Sequence, residues 1–325
     1  MLHLIPLATL LLLSHATATP LTDPQPLPLI IWHGLGDNYA ADGLHEVGDL
    51  AIKTNPGTFV YYVRCHDDPG TDSRATFIGN LTEQLAQVCE DIASHEILST
   101  APALNALGFS QGGQFLRGYI ERCNHPPVKN LVTFGSQHNG IAKYQVCGDD
   151  DWVCRSWISL LKGHTWSDFV QSHVVPSQYF RATNFSTGDP TPEYLAHSNF
   201  LADINNERAR KNTTYAANMA ALDRFIMYVF ANDTTVIPKE SGWFAQTNIS
   251  SGEVVELRDR PIYQQDWIGL KELDEKGGLV FETTSGGHMT FEDDVLEHVF
   301  KTYFAPTTTA HWKGAGADVQ ELMEL

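Results

Sequence analysis

Residues 103–112 read Ala103-Leu104-Asn105-Ala106-Leu107-Gly108-Phe109-Ser110-Gln111-Gly112. An apolar run from Ala103 to Phe109 reads as a strand ending in glycine and serine, and Gln114 to Arg122 beyond it has helical spacing. Gly108-Phe109-Ser110-Gln111-Gly112 is therefore a G-x-S-x-G sequence set between strand and helix, the context that a nucleophile elbow requires. There the serine sits on a strained turn, side chains at the flanking glycines would clash, and the hydroxyl is left exposed at the end of a sheet. The helix N-terminus behind it favours developing negative charge. An ordinary turn serine shows the same five residues by accident, so the flanking elements carry the reading.

The flanks repeat the pattern. After a Pro-rich entry (Pro20, Pro24, Pro26, Pro28) comes Leu29 to Trp32, a continuous apolar run bounded by His33-Gly34, as in a fully buried parallel strand. Phe59 to Val63 is a second run, Leu81, Leu85, Val88 and Ile92 recur at helical spacing, and Leu131 to Phe134 is another short strand. This rhythm predicts the α/β class: an α/β-hydrolase fold with a mostly parallel central sheet and helices on both faces. From about Cys147 to Tyr215 it breaks, with Trp152, Trp157, Leu160, Trp166, Phe169 and Tyr179 punctuating helix-like segments, which reads as an inserted helical lid over about 144–215. The strand pattern resumes at Phe225 to Phe230, after amphipathic Ala216 to Arg224, and again at Leu279 to Phe281. A last helix is expected over about Glu292 to Phe304. Beyond Pro306 the composition turns to Thr, Ala, Gly and acidic residues, as expected of a flexible tail over 307–325.

Leu4 to Leu13 and the small-residue site Ala16-Thr17-Ala18 predict a signal peptide over 1–18, leaving a hydrolase domain over 19–306. The n-region carries His3 where Lys or Arg is usual, and a short buried helix is the alternative reading. Ten apolar residues are too few to span a bilayer, so stable membrane insertion is not expected. Five sequons, at Asn80, Asn184, Asn212, Asn232 and Asn248, agree with a secretory route. Five cysteines (Cys65, Cys89, Cys123, Cys147, Cys154) allow two disulfides and one thiol in an oxidising compartment, with Cys147 and Cys154 the obvious local pair. No C-x-x-C or H-x-x-x-H spacing appears, so no structural metal is expected. Apolar residues at 42% against 18% charged describe a globular protein with a substantial core. A net charge of −18 repels polyphosphates, so nucleic acid is not an expected partner.

A serine hydroxyl needs a base to take its proton, and the base needs an orienting carboxylate. In this fold the order along the chain is serine, acid, histidine. His288, in a Gly286-Gly287-His288 loop after the last strand-like run, fits the base. His138, His164, His173 and His197 come before or within the inserted region, and His298 lies in the final helix. Asp233, just past the run ending at Phe230, fits the acid better than Asp259, Asp266 or Asp274, which stand in polar, charge-rich surroundings. The expected oxyanion donors are the backbone N–H groups of Gln111 and of Leu35, in the glycine-bearing loop His33-Gly34-Leu35-Gly36-Asp37. His33 is expected to brace that loop. The chemistry calls for no cofactor.

Ordered blocks from about residue 27 to 304 carry a family resemblance. They are Pro28 to Asp37, Leu107 to Arg117, Gln137-His138 with Gly140, Phe200 to Asn205 with Glu207-Arg208, and Gly269 to Asp274. The chain resembles the lysosomal palmitoyl-protein thioesterases, in the branch that depalmitoylates S-acylated proteins. The resemblance implies the same triad (Ser110, Asp233, His288), disulfides Cys89–Cys123 and Cys147–Cys154, S-acylated proteins or peptides as partners, and delivery to the lysosome or vacuole, or secretion. It implies hydrolysis of palmitoyl thioesters through an acyl-serine. An acyl groove partly lined by inserted residues makes Trp166, Phe169 and Trp243 candidate lining residues. An oxygen-ester lipase needs the same triad and is the alternative; an acyltransferase and a catalytically inert binding protein on this fold are the others.

Overall fold

A computed structural model describes residues 25–144, 163–184 and 188–306 of the chain. The expected signal peptide, the tail, and the pair Cys147 and Cys154 lie outside the described residues. The strands are β1 (Leu29–Trp32), β2 (Val60–Tyr62), β3 (Leu104–Phe109), β4 (Val128–Phe134), β5 (Arg224–Phe230), β6 (Gln246–Thr247), β7 (Val254–Val255) and β8 (Leu279–Thr284). Six of them form one sheet in the order β2-β1-β3-β4-β5-β8, every neighbouring pair parallel. The small antiparallel pair β6–β7 stands outside it.

The continuous apolar runs are explained by burial on both faces. In β1, Leu29 and Ile31 enter one hydrophobic cluster and Ile30 and Trp32 the other; β5 divides likewise, Ile226, Tyr228 and Phe230 against Phe225 and Met227. This is the period-2 alternation of a strand, with neither face left to water. Helices α1 (Asp42–Thr54) and Asp293–Tyr303 cover the first face through Leu44, Ala51, Leu296, Val299 and Phe300. Helices α3 (Leu81–Ser94) and α4 (Gln111–Arg122) cover the second through Leu85, Val88, Ile92, Phe115 and Leu116. Each of these Leu, Ile, Val and Phe side chains contributes about 1.5–3 kcal/mol on burial.

Three elements differ from expectation. α1 was not anticipated, although Leu44, Val47 and Ala51 have helical spacing. α4 starts at Gln111, three residues early, because the elbow passes directly into the helix. β4 starts at Val128, before the apolar run, because Asn130 is paired inside the sheet: its Nδ2 donates to Asn105 Oδ1 at 3.0 Å and to the Tyr303 carbonyl at 2.9 Å. Cys89 and Cys123 form a disulfide with Cα atoms 6.1 Å apart, and Cys65 is a buried free thiol.

The polar blocks of the sequence meet in the core behind the elbow. Arg117 in α4 is fully buried and donates to Glu121 Oε1 at 2.7 Å, Asn205 Oδ1 at 2.8 Å, and the carbonyls of Ile204 (3.0 Å) and His138 (3.1 Å). Gln114 donates to the Gln137 carbonyl at 2.5 Å. Arg181 pairs with Glu207 at 2.8 Å. Burying a guanidinium is costly unless it is paired, and the bonds from the two terminal nitrogens of Arg117 fix α4 against the segments that follow β4.

Candidate active site

Ser110 links β3 to α4 with φ 52° and ψ −123°, a conformation a non-glycine residue adopts only under strain. Close packing imposes it. A Cβ on Gly108 would fall 2.2 Å from the Gly113 Cα, and one on Gly112 2.3 Å from the His33 carbonyl oxygen. Both glycines are therefore required by backbone approach, and the turn lifts the serine to the carboxyl end of the sheet.

His288 and Asp233 arrive there from the loops after β8 and β5. His288 Nε2 lies 3.0 Å from Ser110 Oγ, and His288 Nδ1 lies 2.7 Å from Asp233 Oδ2. Asp233 Oδ1 accepts the backbone N–H groups of Thr235 (2.8 Å) and Val236 (3.0 Å), so both carboxylate oxygens are engaged. The carboxylate is buried, while its neighbour Asn232, a sequon residue, is exposed. The other sequon asparagines, Asn80, Asn184, Asn212 and Asn248, are exposed or partly exposed. A hydroxyl, an imidazole and an anchored carboxylate so aligned can pass a proton away from Ser110 as it attacks an electrophilic carbonyl.

The loop bearing Leu35 faces Ser110 from the end of β1, with Gly34 packed 3.3 Å (as a Cβ) from the Ser110 Cβ. The backbone N–H groups of Leu35 and Gln111 have no acceptor among the described residues. Two unpaired donors beside the Ser110 hydroxyl make an arrangement able to hold an oxyanion. His33 braces this loop, its Nδ1 3.1 Å from the Gly34 carbonyl and its Nε2 3.0 Å from Asp72 Oδ2. Asp72 also accepts the backbone N–H groups of Cys65 (2.7 Å) and Tyr39 (3.0 Å). Burial pushes its carboxyl up, but the hydrogen bonds from His33, Cys65 and Tyr39 outweigh burial and hold it below the usual carboxylate range. Nothing in the sequence distinguishes Asp72 from Asp67 and Asp68 beside it.

A groove of about 710 Å³ opens from Ser110. Leu35, Phe77, Phe109, Ile141, Tyr144, Val174, Tyr179, Val236, Met289 and Phe291 contribute to its wall, and Gln137 to its polar part. Tyr179 is buried and its hydroxyl reaches Gln111 Oε1 at 3.3 Å. Trp166, Phe169 and Trp243, the expected lining residues, do not line this groove. Trp166 packs on Tyr194 and Phe180, with ring centroids 5.8 and 6.2 Å away. Trp243 donates from Nε1 to the Met227 carbonyl at 2.9 Å and packs on Phe281. Phe169 is 66% exposed, stacked on His173. The aromatics that do line the groove, Phe77, Phe109, Tyr144, Tyr179 and Phe291, come from other segments of the chain.

A family model described as palmitoyl protein thioesterase matches residues 28–288 of the chain. "Palmitoyl-protein thioesterase 1" of Caenorhabditis elegans is 33% identical over 298 residues, covering 91% of this chain and 97% of the relative. "Palmitoyl-protein thioesterase 3" of Dictyostelium discoideum is 31% identical over 285 residues, covering 86% and 90%. "Lysosomal thioesterase PPT2" of Rattus norvegicus is 28% identical over 258 residues, covering 78% of each.

Proposed function

We propose that this chain, which belongs to the palmitoyl protein thioesterase family, hydrolyses long-chain acyl thioesters of S-acylated proteins with Ser110 as nucleophile, His288 as base and Asp233 as its orienting acid. The observation that carries this reading is the unbroken chain from Ser110 Oγ to His288 Nε2 (3.0 Å) and from His288 Nδ1 to Asp233 Oδ2 (2.7 Å), placed at an apolar groove. The groove supplies an environment for an alkyl chain, and the hydroxyl stands where the chain ends.

In the first half-reaction Ser110 Oγ bonds to the thioester carbonyl carbon and its proton passes to His288 Nε2. Charge collects on the carbonyl oxygen, which the N–H groups of Leu35 and Gln111 receive, with the N-terminus of α4 behind them. The C–S bond then breaks, the sulfur leaves with the proton from His288, and the acyl group remains on Ser110. Water attacks that ester, giving a proton to His288, which returns it to Ser110 as the fatty acid departs. The expected signal peptide and the relatives called lysosomal thioesterases support entry into the secretory pathway, with the lysosome as destination. Among the described residues no helix is long and apolar enough to cross a membrane.

The test is hydrolysis of a palmitoyl-cysteine peptide beside a matched palmitoyl oxygen ester, each with wild type and Ser110→Ala. Preference for the thioester, abolished in the variant, is expected. Preference for the oxygen ester would make the chain a lipase with the same triad, and undiminished activity of Ser110→Ala would remove the mechanism.

A further inference from the structure

We propose that the apolar rim around the groove mouth docks on the surface of a zwitterionic phospholipid bilayer, so that an acyl chain passes from lipid into the groove without crossing water. The proposal rests on the acyl-thioesterase reading above and adds the surface from which the substrate is taken. Four large apolar side chains are exposed here: Leu35 at 38%, Phe77 at 44%, Ile78 at 53% and Phe169 at 66%. They lie on segments that the backbone joins at the groove mouth. Leu35 and Phe77 both line the groove. Ile78 pairs with Val174 in an antiparallel bridge, flanked by hydrogen bonds from Gly79 N–H to the His173 carbonyl and from Val175 N–H to the Phe77 carbonyl, each 2.9 Å. Phe169 stacks on His173 with centroids 4.5 Å apart.

Scattered exposed apolar residues need no explanation, but a contiguous set opening into a cavity marks an interaction surface. The cavity identifies the occupant. A palmitoyl chain on a protein resides in a bilayer, and each methylene brought into water costs about fourfold in partition. A rim that meets the lipid removes most of that barrier, because the chain exchanges one apolar environment for another. The net charge of −18, with Asp168 beside Phe169, disfavours anionic headgroups and selects a neutral surface. Exposed aromatic and aliphatic side chains at one edge of a folded domain bind such a surface by shallow burial, with no spanning segment.

The test uses the full-length glycosylated protein and its Ile78→Ser/Phe169→Ser double variant. Neither side chain lines the groove or touches Ser110, His288 or Asp233. Flotation with phosphatidylcholine vesicles reads binding, and turnover is read on a soluble short-chain thioester and on a palmitoyl-cysteine peptide held in the same vesicles. We expect the double variant to lose about tenfold or more in vesicle partition and in kcat/KM on the vesicle-held peptide, while staying within about twofold on the soluble thioester. Ser110→Ala should float as wild type does, which separates docking from chemistry. Unchanged flotation and unchanged turnover of the vesicle-held peptide in the double variant would overturn the proposal. So would a wild-type dimer that the double variant disperses, since the rim would then cover a second copy. A loss on the vesicle-held peptide without loss of flotation would assign the rim to the peptide and likewise reject the bilayer.

Discussion

Asp233 Oδ2 stands 2.7 Å from His288 Nδ1 although 55 residues separate them, while Asp233 Oδ1 is held by the backbone N–H groups of Thr235 and Val236. One oxygen anchors the carboxylate and the other orients the imidazole. Asp233→Asn should keep the anchor, since an amide oxygen accepts the same two N–H groups, but it presents an NH₂ to Nδ1 and forces the wrong tautomer. We expect kcat on a palmitoyl thioester to fall by about 10⁴, with unfolding free energy within about 1 kcal/mol of wild type. A loss of less than tenfold in kcat would mean that Asp233 does not orient His288.

Gly112 tests the elbow as a packing device. A methyl group there would meet two backbone oxygens, His33 at 2.3 Å and Trp32 at 2.4 Å, which cannot rotate away. Gly112→Ala is therefore expected to destabilise the fold by about 1–3 kcal/mol or more, read by urea unfolding, and to displace the Leu35 loop, read as lost kcat. A fully stable and active variant would show that the elbow has slack the structure does not display.

The Asp72 carboxylate gives a stability effect with a defined sign. Its folded-state pKa is depressed, so its stabilisation is present above the unfolded value near 3.9 and is lost as pH falls through the folded value. Asp72→Asn should be less stable than wild type by roughly 2 kcal/mol at pH 7, with a gap that narrows below about pH 4. Unfolding curves at pH 7, 5 and 3 measure it. A gap that widens in acid would contradict the assignment.

Cys65 offers a chemical readout of packing. Burial pushes its thiol up to about 12, aided by the nearby carboxylates of Asp72 and Asp91, so almost no thiolate exists at pH 8. Iodoacetamide should leave Cys65 unmodified in the native protein and alkylate it fully in denaturant, as read by peptide mass spectrometry. Rapid native labelling would mean that the β2–α2 region, where α2 is Pro69–Ala75, opens readily.

Much of the site is legible in the chain because its signals are local. Gly108, Ser110 and Gly112 announce the elbow within five residues, since the backbone contacts that demand glycine are imposed by the turn itself. The apolar runs of β1, β3 and β5 announce a buried parallel sheet, and a parallel sheet presents its strand ends, hence the loops carrying Leu35, Asp233 and His288, on one edge. Asn130 hid the start of β4 because a paired polar side chain inside a sheet reads as a break in hydropathy.

The groove and its surroundings follow a different rule. Its wall draws Phe77, Tyr144, Val174, Val236 and Phe291 from separate loops, and no periodicity links them. Trp166, Phe169 and Trp243 are as apolar as the residues that line it, but size and hydrophobicity do not say which surface a side chain reaches. Asp72 owes its role to His33, 39 residues away, and to the backbone N–H groups of Tyr39, Cys65 and His66, which only the folded loops aim at it. Sequence alone determined the sheet, the elbow and the chain order of Ser110, Asp233 and His288, because these depend on neighbours along the chain. Only the tertiary structure decided the groove, the brace beneath the Leu35 loop and the exposed rim, because these depend on which distant segments meet.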